Sequence, residues 1–226
     1  MCVLARGFAK KTGYLVITVA VLGSGAFFLL RDHLVLKSCK KYGVCSVAAV
    51  REFPQGIDVR VRGVVTYYDA ALKQMYVQDA TEAIRVQMPD GPAGLRTGSS
   101  VLLIGKTAGL GFEIRASRVR LTGVAELPSA RPSSIVDIPQ HHHQRIELHG
   151  IVRDVSSQPG IATMVVADEG REITAIVPGK VSSESLLDST VTLRGVGEST
   201  PDGSGGTSSR LLIADSSALT LSLIHI

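Results

Sequence analysis

The chain has 226 residues, of which 45% are hydrophobic and 19% charged; this excludes a disordered polymer and allows one or two domains. Aromatics make up 4% and Trp is absent, while 23 Gly and 9 Pro punctuate short apolar runs, the composition of an all-β protein with many turns. Within the net charge of +4, residues 1–45 hold seven Lys/Arg against one acid, and residues 131–226 hold seven basic against eleven acidic side chains, so neither β half is expected to carry a basic face that holds phosphates strongly.

In chain order, Thr12 to Leu30 (TGYLVITVAVLGSGAFFLL) is uncharged for nineteen residues, enough to span a hydrocarbon core of about 30 Å as a helix. Arg6, Lys10 and Lys11 precede it; Arg31, Lys37, Lys40 and Lys41 follow. Ser24-Gly25-Ala26 offers a signal-peptidase site, but Phe27-Phe28-Leu29-Leu30 prolongs the apolar run, so the segment reads as an uncleaved anchor. Flanking charge does not set its orientation. Cys2 lies before it. Cys39 and Cys45 lie just beyond: in an oxidising compartment they pair into a small loop, and otherwise they are two thiols.

The rest of the chain says the same thing twice. Met75 to Pro89 (MYVQDATEAIRVQMP) lines up without a gap on Met164 to Pro178 (MVVADEGREITAIVP), an offset of 89 residues. Val61-Arg62-Gly63-Val64-Val65 answers Leu148-His149-Gly150-Ile151-Val152, and Val101 to Gly105 answers Val191 to Gly195. A tandem module explains this period; a solenoid repeat is shorter. Ser46–Gly56 leads in, partly amphipathic. Strands are expected at Ile57–Thr66, Gln74–Gln78, Ala83–Met88, Ser100–Lys106 and Glu113–Leu121 in the first module. In the second they are expected at Arg145–Val155, Ala162–Asp168, Glu172–Val177, Thr190–Val196 and Arg210–Thr220, with one helical turn at Glu184–Leu187. Five short strands with a gap after the third is the layout of an OB-like barrel. The fold class is therefore all-β: two tandem five-stranded OB-like barrels (46–127 and 144–221), joined by a Pro-stiffened linker (128–143) and preceded by one transmembrane helix (12–30). Each barrel is expected to unfold on its own.

Chemistry is sparse. His141-His142-His143, with His149 six residues on, is the densest set of ligands, but adjacent loop histidines diverge, so they are weak metal candidates and no metal is expected. Asp79 and Asp168 occupy equivalent places after the second strand of each module, where a turn-capping role explains both. There is no Gly-x-Ser-x-Gly elbow and no phosphate loop, hence no enzyme and no cofactor. Tyr67, Tyr68, Tyr76 and Phe112 are the candidate ligand-binding residues, because OB barrels stack bases or sugars on the face of their middle strands. The competing reading makes them core and rim aromatics; Tyr67 and Tyr68 point to opposite faces in either case.

The strings RGVVTYYD (Arg62–Asp69) and YVQDAT (Tyr76–Thr81) resemble the OB-like extracytoplasmic modules of bacterial membrane-bound sensor histidine kinases, over about Ser46 to Leu221. The resemblance implies a single-pass inner-membrane protein with Met1–Lys11 cytoplasmic and its modules periplasmic. It further implies a sensory role without catalysis, and as partners the membrane, a second copy, and a small-molecule, glycan or protein ligand. A membrane-tethered OB protein binding single-stranded nucleic acid or envelope oligosaccharide is the alternative; the acidic second half makes nucleic acid the less expected partner. No kinase His box, ATP-lid glycines or second membrane helix is found here. The last six residues, Leu221 to Ile226, are what the end of a transposase sequencing adapter encodes, so the natural chain is expected to continue past Thr220 and residues 222–226 to be an artefactual tail.

Overall fold

The structure, a computed structural model, describes residues 43–109, 112–179, 181, 186–201 and 207–221. The expected membrane helix, Cys2, Cys39, Glu184, Ser185 and the tail 222–226 lie outside the described residues. Among the described residues no helix is long and apolar enough to cross a membrane.

The first module is a closed barrel of β1 (Asp58–Asp69), β2 (Gln74–Gln78), β3 (Ala83–Gln87), β4 (Ser99–Ala108) and β5 (Glu113–Val124) in the order β1-β2-β3-β5-β4. The β3–β5 pair is parallel and the others antiparallel, which is the OB arrangement. In β1, Val59 and Val61 face the interior while Asp58, Arg60 and Arg62 face outward. Beyond a bulge between Val65 and Tyr67 the strand turns to follow β2. Gly63 sits at this crossing because a Cβ there would meet Val77 Cγ1 at 2.6 Å and Gln78 O at 2.8 Å. Asp79 does cap the following turn: its Oδ1 accepts from the Thr81 and Glu82 amides, and its Oδ2 accepts from Val47 N at 2.8 Å. That last bond ties down α1 (Val47–Arg51), which buries Val47 and Val50.

The second module repeats the plan with β7 (Arg145–Gln158), β8 (Ile161–Asp168), β9 (Arg171–Pro178), β10 (Thr190–Pro201) and β11 (Thr207–Leu212), after the short β6 (Arg131–Pro132). Here β9 and β11 are parallel and β10 returns to β7, so the ring closes in the same order. Gly150 occupies the crossing that Gly63 occupies: a Cβ would meet Val166 Cγ1 at 2.6 Å and Ala167 O at 2.7 Å. The last expected strand is divided. It leaves the sheet after Leu212, turns where Asp215 Oδ1 accepts from Ser217 N, and resumes as β12 (Leu219–Leu221) along β10.

The stretch expected as a linker is built into the second barrel. Arg131 and Pro132 pair with β7, and a 3-10 turn at Ile135–His141 places Ile138, fully buried, in that barrel's core. Cys45–Ile226 forms one compact unit containing both barrels. Cys45 is disulfide-bonded.

Candidate functional site

Period-two alternation in β2 sends Met75 and Val77 inward and Tyr76 outward, yet all three are fully buried. Tyr76 stands in one cross-strand row with Tyr67 of β1 and Arg85 of β3. This row belongs to the face with which OB barrels bind extended ligands. In this protein the outer face of β10 and β11 covers it. Tyr67 and Tyr76 pack with Val196 and Leu212 into an apolar cluster that joins the barrels, and the two tyrosine rings meet edge-on at 6.0 Å.

Glu198, 1% exposed, completes the junction. Its Oε1 accepts the Tyr76 hydroxyl at 2.5 Å and lies 3.5 Å from Arg85 Nη1; its Oε2 accepts Arg210 Nε at 2.5 Å. A buried carboxylate is tolerated here because one guanidinium from each barrel and a phenol surround it. Burial and Glu198 together push the Tyr76 phenol far above its ordinary range. Burial opposes the charge on Arg85, but the hydrogen bond and charge of Glu113 outweigh it and leave that pKa raised. Two further bonds cross between the barrels, Gln144 Nε2 to Glu82 Oε2 at 2.6 Å and Arg145 N to Gln78 Oε1 at 3.0 Å.

Beside Glu198 the junction opens into a cleft of about 440 Å³, lined among others by Arg85, Phe112, Glu113, His142 and Thr200. Phe112 is 43% exposed. The Arg51 guanidinium lies 4.8 Å from its ring centroid and the His142 ring meets it edge-on at 5.8 Å. His143 is tucked behind His142, with ring centroids 3.6 Å apart, and burial lowers its pKa to about 2. Burial also lowers that of His142. The cleft offers an aromatic edge, a guanidinium and carboxylates, groups suited to binding a polar ligand.

Of the residues singled out from sequence, Tyr67 and Tyr76 are thus shut inside the junction, where a ligand reaches them only if the barrels part. Tyr68, on the opposite side of β1, is half-buried beside Met75. Phe112 alone of the four reaches open space in the cleft. The histidine triplet does not converge: His142 and His143 enter the junction, and no group of three metal ligands occurs among the described residues. Sequence reasoning missed Glu198, Arg85 and Arg210. Its one available signal was β10, whose alternation runs on past Val196 to place a carboxylate outward.

Strand order and pairing define a tandem OB-fold protein. No family model matches the chain, and no curated protein does. Among solved structures it is similar to the p204 HINb domain (17% identity, 71% of this chain, 95% of that one, TM-score 0.33). It is also similar to fission yeast Pot1 with ssDNA (11%, 79% and 87%, TM-score 0.32) and to an aspartyl-tRNA synthetase from Entamoeba histolytica (10%, 41% and 21%, TM-score 0.32). The chain spans about a fifth of the length of that synthetase.

Proposed function

We propose that the OB pair is the ligand-binding ectodomain of a membrane-anchored receptor, without catalysis of its own, and that its site is the cleft beside Glu198. The observation that carries this is the junction itself. The face on which a solitary OB barrel would stack bases is occupied by the second barrel, and what remains open is a walled cleft with one aromatic edge. A cleft at a domain junction, with few polar groups aimed into it, is where small ligands bind. The disulfide at Cys45 is in keeping with an oxidising, extracytoplasmic compartment. The strings around Tyr67 and Tyr76 resemble sensor-kinase modules, which supports the receptor reading.

The ligand class that fits best is an envelope oligosaccharide: sugars stack on an exposed ring, and paired hydroxyls suit Arg85 and Glu113. Calorimetric titration of the full chain with a β-1,4-linked amino-sugar tetrasaccharide is expected to show binding that Phe112→Ala weakens about tenfold. Equal affinity in Phe112→Ala and the parent, or no heat at millimolar sugar, would count against the cleft.

The second reading, a tethered single-strand binder, has one observation in its favour: exposed arginines on the outer sheet of the first barrel. A twenty-residue oligothymidylate bound with a steep salt dependence, and no response to sugar, would promote it.

A further inference from the structure

The first barrel carries a charged surface that summing charges along the chain conceals. On the outer face of β1, β4 and β5, register sets Arg60 beside Ile104 and Ile104 beside Arg118; the next row runs Arg62, Leu102, Arg120. All four arginines are exposed and both aliphatics half-exposed. From strand geometry the four Cα atoms outline a patch of about 10 by 7 Å. Lys106 and Arg115 share the adjoining row, where Lys106 meets Asp58 and Arg115 meets Glu113. Among the described residues, none of the four arginines makes an ion pair. The expectation of no strongly basic face fails because alternate residues of three strands gather these arginines on one side, while the nearest acids, Asp58 and Glu113, are engaged by Lys106 and Arg115 in the adjoining row.

We propose that this face lies on an anionic lipid leaflet. The proposal rests on the anchored reading above. Three observations select lipid over other anions. No aromatic interrupts the two rows, so the stacking that holds single-stranded bases is missing. Leu102 and Ile104 lie between arginines, a pattern suited to headgroups above and acyl boundary beneath. The folded unit begins beside the patch: Cys45 pairs with Val61, and its amide donates to Arg60 O at 2.7 Å. Only fourteen residues separate Cys45 from Leu30, the end of the apolar segment, so the tether is at most about 50 Å long. Juxtamembrane basic residues gain roughly fivefold each in partitioning on anionic leaflets.

The test places a fluorescent amino acid at Ser117, exposed beside Arg118, and a control at Glu172 on the second barrel, in full chains reconstituted into vesicles with a headgroup quencher. With phosphatidylglycerol at about one-third of the lipid, quenching at 117 is expected, against little in phosphatidylcholine and little at 172. High salt or Arg60, Arg62, Arg118 and Arg120→Gln should abolish it, cutting partitioning roughly 600-fold, with circular dichroism confirming that the variant is folded. Quenching at 117 that is equal in both lipids overturns the proposal. Tight oligothymidylate binding, or salt-sensitive dimerisation, that the four substitutions abolish without any lipid effect also overturns it, giving the face to a single strand or to a second copy. Alkaline extraction checks the anchor separately. If the chain is released, the anchored reading fails, and adding vesicles to the released chain still tests the face.

Discussion

Tyr76 of the first barrel donates its phenolic hydrogen to Glu198 of the second, 122 residues away in sequence, at 2.5 Å. Around this bond Tyr67, Val196 and Leu212 exclude water, and Arg85 and Arg210 bring a positive charge from each barrel. A junction of this kind makes the barrels interdependent, although each has its own closed ring. Calorimetry of the full chain is therefore expected to give a single main unfolding transition. Two well-resolved transitions would mean that the junction contributes little to either barrel.

Acid should loosen the same junction. His143, 2% exposed, is held neutral by burial, with a pKa near 2 in the folded protein against about 6.5 when unfolded. Its neighbours His142, Arg85 and Arg51 add no help for a proton, and the His142 pKa is lowered too. Because the folded pKa is the lower one, this stability is present above about pH 6.5. It is lost as pH falls below about 6.5, at up to about 1.4 kcal/mol per unit from His143, with the lowered His142 acting in the same direction. Urea midpoints at pH 7 and pH 5 should differ accordingly. His143→Asn, a residue that accepts the positive φ of 72° at this position, should flatten the dependence. An unchanged slope in that variant would assign the acid sensitivity to other groups.

The crossing glycines give a space-based prediction. Gly63→Ala and Gly150→Ala force a Cβ to within 2.8 Å of a neighbouring strand's backbone, whereas Gly94 has nothing within 4 Å and differs only in its φ of 81°. Overpacking costs about 1–3 kcal/mol or more, and a strained φ about 1 kcal/mol. Thermal melts should therefore rank both crossing substitutions as more damaging than Gly94→Ala.

The duplicated module was legible because the repeated strings fix inward positions: Met75, Val77 and Val86, and their counterparts Met164, Val166 and Ala175, are all buried. Turn chemistry was legible at Asp79. The junction was not. In period-two alternation Tyr76 reads as an outward residue, while Glu198 falls beyond the expected strand end at Val196, and nothing local distinguishes an outward side chain that meets solvent from one that meets another barrel. The linker misled for a related reason: Pro132 and Pro139 mark a stiff chain, while the burial of Ile138 depends on a core that forms elsewhere. The arginine patch was hidden by counting charge along the sequence instead of across β1, β4 and β5.

The second barrel closes the OB face of the first through Tyr76 and Glu198. A double-mutant cycle tests this closure most directly, with Tyr76→Phe, Glu198→Gln and the double variant compared by urea unfolding of the full chain at pH 7. Each single substitution is expected to cost about 1–3 kcal/mol, because a buried polar group loses its partner. The double variant should cost less than the sum, giving a coupling of at least about 0.5 kcal/mol. Additive losses within error would contradict the account, since residues that do not touch have nothing to share.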